Sequence, residues 1–210
     1  MAQYETEEQQ VEAIKEFWKE NGKAIILGAI IGFGGIFGWD YYKDYKQAQA
    51  EIASQQYAEA MQTIEAGSDE QSQFVEKAEA IKQEHSATSY AALAALKLAE
   101  IKVSDNNLDA AAEQLRWVVD QGNKTFAPVA QIRLGRVLLA QEKYDETIQL
   151  ADSVSNEAYK SSALFIKGEA LLAKGNNEAA KNAFIEARDA SEAAPHPLLA
   201  LRLSEFGIEK

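Results

Sequence analysis

Residues 167–187 read KGEALLAKGNNEAAKNAFIEA, and this stretch decides how the chain is organised. Two helical runs flank Lys174-Gly175-Asn176-Asn177, a turn built from residues that stop one helix and start the next. Gly168, Ala180 and Ala187 are small, and Phe184 between them is bulky. Where two helices fold back on each other, small residues sit at the closest approach and a large one plugs the gap beside it. The unit is a helix–turn–helix.

The pattern recurs upstream. A small residue ends an apolar helical run at Ala99, Gly135 and Gly168, at intervals of 36 and 33 residues. Twelve residues further stand Ala111, Thr147 and Ala180; then come Leu115, Ala151 and Phe184, and Val118, Val154 and Ala187. The last copy is the fullest, the middle one keeps Leu134-Gly135 and Tyr144, and the first is degenerate. The period is near the roughly 34 residues of tetratricopeptide repeats. No single pair can bury its apolar face, so such pairs must stack. We expect repeats at about 88–122, 125–155 and 158–191. A helix pair at 47–84 opens the stack, with Phe74, Val75, Ala78 and Ile81 on one face of Ser72–Glu84. A cap helix at 197–209, about Leu198 to Glu209, closes it. Good helix formers dominate and no run alternates apolar with polar residues, so the class is all-α.

Ahead of the repeats lies AIILGAIIGFGGIFGW, Ala24 to Trp39, without a charge. Sixteen residues rise about 24 Å as a helix, slightly less than a hydrocarbon core of about 30 Å. Phe17 and Trp18 before it, Trp39, Tyr41 and Tyr42 after it, and a snorkelling Lys23 extend it to both interfaces. A water-soluble core helix would not carry so many glycines, each costing up to about 1 kcal/mol against alanine. In lipid they permit close helix contact, and Ala24, Gly28 and Gly32, with Gly34 and Gly38, form small-residue stripes four apart. A single transmembrane helix at 24–42 is expected, between a leader at 1–23 and a repeat domain at 43–210. The long acidic leader is unlike a cleaved signal peptide, and no glycine or proline separates Tyr41 from Ala66, so the span can run straight into the first external helix. Gly67-Ser68-Asp69 then breaks it. Lys15, Lys19 and Lys23 before the span outnumber Lys43 and Lys46 after it, which favours a cytoplasmic N-terminus and an external C-terminal domain.

Composition narrows function by exclusion. A net charge of −12 argues against nucleic-acid binding, and zero cysteine removes disulfides, thiolate nucleophiles and cysteine-ligated metals. His85 and His196 lack metal-type neighbours and read as solvated loop or helix-end residues. No phosphate loop or nucleophile elbow is present, so no catalytic, cofactor or metal site is expected. What remains is surface. The first helices of the repeats line a concave groove, which the repeat phase assigns to Leu93, Leu96, Glu100 and Val103, then Val129, Ile132, Arg136 and Leu139, then Phe165, Glu169 and Leu172. That lining is apolar with one charge per repeat, suited to a segment with hydrophobic side chains. The same residues could equally pack on neighbouring helices or on the chain's own terminal helix.

The leader Tyr4-Glu5, Gln10-Val11-Glu12-Ala13-Ile14-Lys15, Phe17-Trp18 and Glu20-Asn21-Gly22-Lys23-Ala24 resembles the YfgM family of Gram-negative bacteria. So do Gly38-Trp39, Tyr41-Tyr42, Tyr90-Ala91-Ala92-Leu93-Ala94 and Lys167 to Gly175. The resemblance covers the full length and is most specific in the first forty residues or so. It implies an inner-membrane protein with a periplasmic tetratricopeptide-like domain, an ancillary subunit of the SecYEG translocon. Implied partners are a PpiD-like membrane-anchored periplasmic chaperone and unfolded exported proteins. No catalytic residues come with it. The expected function is a non-enzymatic chaperone or scaffold for newly exported chains. The alternative is a regulatory adaptor in envelope stress signalling, for which Val11, Ile14, Phe17 and Trp18 could form a docking face.

Overall fold

The computed structural model describes residues 7–66, 71–191 and 197–208. Among them are nine helices and no strand: α1 (Glu7–Ala66), α2 (Gln71–Glu84), α3 (Ser89–Ser104), α4 (Leu108–Asp120), α5 (Ala127–Ala140), α6 (Tyr144–Asp152), α7 (Glu157–Ala173), α8 (Asn177–Asp189) and α9 (Pro197–Glu205). Gly67-Ser68-Asp69 and His196 lie outside the described residues. Two compact units divide between Gln49 and Ala50.

The first unit is the N-terminal part of α1. It is long and apolar enough to cross a membrane, and almost none of its most apolar window is buried. Ile25 to Phe37 expose their large side chains, as do Trp39, Tyr41 and Tyr42. Exposure on that scale is unfavourable in water and natural in lipid.

The second unit is a stack of helix pairs. The end of α1 supplies Tyr57, Ala60, Met61 and Ile64, which pack with Phe74, Ala78 and Ile81 of α2 and Leu98 and Ile101 of α3. α3/α4, α5/α6 and α7/α8 then follow as antiparallel pairs. Most of the phased residues form the core: Ala111, Thr147, Ala180, Phe184, Val118 and Ala187 are all 0% exposed, while Ala151 and Val154 of the middle copy are half-buried. Thr147 is buried without penalty because its hydroxyl donates to the Lys143 carbonyl at 2.9 Å.

The repeat is also written in the backbone. Each turn within a pair places one residue at positive φ: Asn106 at 55°, Glu142 at 60° and Gly175 at 78°. The next residue in each case is the helix cap, and Asn107 and Asn176 accept from Ala110 N and Ala179 N. Glycine adopts that conformation freely and asparagine tolerates it, whereas glutamate does not. At Glu142 the turn is held by backbone bonds, from Glu142 N to the Leu139 carbonyl at 3.0 Å and from Lys143 N to the Leu138 carbonyl at 2.9 Å.

Two expectations need correction. α9 ends at Glu205, short of Glu209, because Gly207 at φ 72° turns the chain and Ile208 N donates back to the Leu203 carbonyl at 2.9 Å. His85 is buried, 8% exposed, not solvated. The turn from α2 into α3 folds over it, with its carbonyl accepting from Thr88 N and Thr88 Oγ1.

Two stability changes follow. A methyl group at Gly168 would stand 2.6 Å from Phe184 Cδ1, so Gly168→Ala should destabilise the repeat unit by about 1–3 kcal/mol in urea unfolding. Glu142→Gly should stabilise it by about 1 kcal/mol through relief of the left-handed turn. An unchanged midpoint in both would mean the turn and helix contact are not set as described.

Candidate functional site

The first helices of the three pairs are spaced unequally in their packing. Between α5 and α7, Ile132 meets Ala163 and Ile166, and Gly135 lets Ile166 approach so closely that a Cβ there would stand 3.3 Å away. The corresponding place between α3 and α5 is open. A cavity of about 490 Å³ lies there, lined by Leu96, Ala99, Glu100, Val103 and Ser104 of α3, Leu108 and Leu115 of α4, and Arg133, Arg136, Val137 and Ala140 of α5. That volume is in the range of small-ligand and side-chain pockets.

Its electrostatics are simple. Glu100 is held by Lys97 of its own helix at 2.6 Å. Arg133 and Arg136 are exposed and make no ion pair among the described residues. Elsewhere the inter-helix charges are used as staples: Arg116 with Glu146 at 2.8 Å, Lys167 with Asp152 at 2.6 Å, and Lys174 with Asp145. The cavity therefore has an apolar floor, a Lys97-paired Glu100 on its α3 side and two arginines without an ion pair on its α5 side, in a chain whose net charge is −12.

The residues assigned to a groove by repeat phase fall into three groups. Leu96, Glu100, Val103 and Arg136 line the cavity. Leu93, Val129 and Leu139 are half-buried beside it and do not line it. Ile132, 7% exposed, is buried against α7. Phe165, Glu169 and Leu172 lie on the equivalent face of α7, but the chain's own α9 covers that face. Phe165 and Leu172 pack on the cluster of Phe184, Leu199 and Leu203. Glu169 accepts from Arg202 Nε at 2.6 Å and from Nη2 at 2.9 Å. The hydrogen bonds from Glu169, then Glu205, raise the Arg202 pKa and hold its charge in place. Leu108, Leu115, Arg133, Val137 and Ala140 were missed, with Ala99 and Ser104 of α3, because repeat phase marks the side a first helix turns to the next repeat and says nothing of α4 or of the side of α5 toward α3.

In the first unit, Gly28, Gly32, Gly34 and Gly38 have open space where a Cβ would stand. The small-residue stripes are uncovered. Val11, Ile14, Phe17 and Trp18 are 50–67% exposed.

The Glu169–Arg202 fork should be what holds α9 down. Arg202→Ala should raise amide exchange throughout α9 by an amount equivalent to about 1–2 kcal/mol of local opening, with α3–α6 unaffected. Equal protection of α9 in the variant would remove the fork from this role.

A family model described as a tetratricopeptide repeat-like domain matches residues 15–207. A protein of Escherichia coli (strain K12) named ancillary SecYEG translocon subunit is 34% identical over 193 residues, covering 91% of both chains. Proteins of the same name from Aggregatibacter actinomycetemcomitans and Haemophilus influenzae are 32% and 29% identical, each over 95% of this chain and 97% of their own.

Proposed function

The chain belongs to the family of ancillary SecYEG translocon subunits, and we propose from that premise that it is a non-enzymatic chaperone or scaffold anchored in the inner membrane beside the translocon, its repeat domain in the periplasm. One observation carries the reading: α1 supplies both the exposed apolar stretch and Tyr57, Ala60, Met61 and Ile64 of the repeat core. A domain built onto its own anchor is held within reach of chains leaving the translocon. Tethering raises effective concentration, so brief, weak contacts suffice. The open α3–α5 cavity is the surface on which such contacts are made, and the uncovered glycine stripes offer a second one, for a helix in the bilayer. A PpiD-like periplasmic chaperone fits either surface, and unfolded exported chains fit the first.

The orientation rests on lysine distribution and on kinship. Because the chain has no cysteine, it can be tested without background. A cysteine replacing exposed Asp105 should react in intact cells, once the outer membrane is permeabilised, with a maleimide that cannot cross the inner membrane. One replacing Glu12 should react only after cell lysis. Affinity-tagged chain extracted in mild detergent should carry SecY with it. The opposite labelling pattern, or absence of SecY, contradicts the proposal.

A second reading draws on one observation, the exposed Val11, Ile14, Phe17 and Trp18 on α1. In an adaptor these would dock a cytoplasmic signalling protein. In the preferred reading they lie in the membrane surface. Removing residues 2–20 separates the two. Loss of a signalling response with export intact supports the adaptor, and loss of export rejects an adaptor-only role.

A further inference from the structure

One offset relates the α3–α5 region to the α7–α9 region. The 69 residues that separate Ala99 from Gly168 also separate Glu100 from Glu169, Leu115 from Phe184, Arg133 from Arg202, Leu134 from Leu203 and Val137 from Phe206. The two regions are the same construction made twice, with different side chains.

The differences explain the cavity. Leu96, Val103, Leu115 and Val137 line it, and each is smaller than its counterpart, Phe165, Leu172, Phe184 or Phe206. At the C-terminal end those phenylalanines fill the space, with ring centroids 5.7 Å apart for Phe165–Phe184 and 6.1 Å for Phe184–Phe206. At α3–α5 no ring lines the space, Trp117 and Phe126 packing outside it, and about 490 Å³ stays open. The charges differ in the same way. Glu169 and Arg202 form a fork, at 2.6 and 2.9 Å. Their counterparts do not: Glu100 is taken by Lys97 at 2.6 Å, and Arg133, with Arg136 beside it on the cavity wall, has no ion pair among the described residues. One interface is complete. The other lacks the aromatic rings, its carboxylate is paired with Lys97, and its arginines have no ion pair among the described residues.

We propose that this cavity is the docking site for a polypeptide segment of another protein that presents a carboxylate between aromatic side chains. The rings take the volume that Phe165, Phe184 and Phe206 take in the C-terminal counterpart. The carboxylate sits on Arg133 and Arg136, as Glu169 sits on Arg202. The diffuse −12 charge of the chain does not oppose this, because it is screened over about 8 Å at physiological salt, whereas the seated carboxylate is in contact. This deepens the chaperone or scaffold reading by naming the class of segment it receives, and it rests on that reading only in requiring that the domain meet other polypeptides.

The test uses the full chain in lipid nanodiscs and a short fluorescein-labelled peptide with a glutamate between two phenylalanines, read by anisotropy. The peptide should bind. Replacing its glutamate by lysine, or its phenylalanines by alanine, should weaken binding at least about tenfold, the scale of one charge-assisted contact or one buried ring. Leu115→Phe with Val137→Phe places in the cavity the residues found at 184 and 206. It should abolish binding with an equal or higher melting temperature. Arg133→Glu with Arg136→Glu should reverse the preference, so that the lysine peptide binds better. This charge reversal leaves the apolar packing untouched and decides the matter should the filled variant fold poorly. No binding to the unmodified chain, equal binding of the lysine peptide, or an unaltered preference after charge reversal would overturn the proposal. So would self-association of the chain that the filled variant removes, since the occupant would then be a second copy. Failure of the translocon reading looks different: SecY would be missing from the purified chain while the peptide still bound.

Discussion

Phe184 lies so close under α7 that only a residue without a side chain fits at 168. From this contact the C-terminal half is assembled. The ring reaches Phe165 on α7 and Phe206 beyond α9, and α9 settles over them with Leu199 and Leu203. Aromatic pairs in such tilted arrangements stabilise beyond the area they bury, and a buried phenylalanine covers more apolar surface than the leucine or valine at the matching place in the first repeat. The Glu169–Arg202 fork then fixes the register of α9. The last repeat is closed because its own chain supplies every part.

The same construction is left incomplete at α3–α5. Leucine and valine stand for phenylalanine, and the fork is not made. The open cleft of about 490 Å³ lies between helices whose C-terminal counterparts close over phenylalanine rings, so it is a feature of the side chains chosen. It also sits on the first repeat of a stack whose opening helix is the one that carries the apolar span.

Much of this was legible in the sequence. The phase of the repeats could be read because Gly168, Gly175, Ala180, Phe184 and Ala187 all stand in one copy, and the weaker copies could be aligned on it. The helices and the buried set followed from that phase. The span was legible from the absence of charge between Ala24 and Trp39. The groove was only half legible. Repeat phase says which helix face is inward, but whether that face is open depends on side-chain volume and on a neighbour. Phe165, Glu169 and Leu172 share their phase with Leu96, Glu100 and Val103, yet α9 covers the first set and nothing described covers the second. Ile132 shows a further limit. It shares its phase with Leu96 and Phe165, yet α7 covers it through Ala163 and Ile166. The end of α9 was missed because a single glycine, Gly207, overrides helix propensity once it takes a positive φ.

The account therefore turns on the claim that the repeat domain is open at α3–α5 and closed at α7–α9. A photoreactive amino acid placed at Val103, and separately at Leu172, in growing cells tests this directly. The account predicts adducts to other proteins from Val103 and none, or only internal ones, from Leu172. Adducts to other proteins from Leu172 with none from Val103 would contradict it.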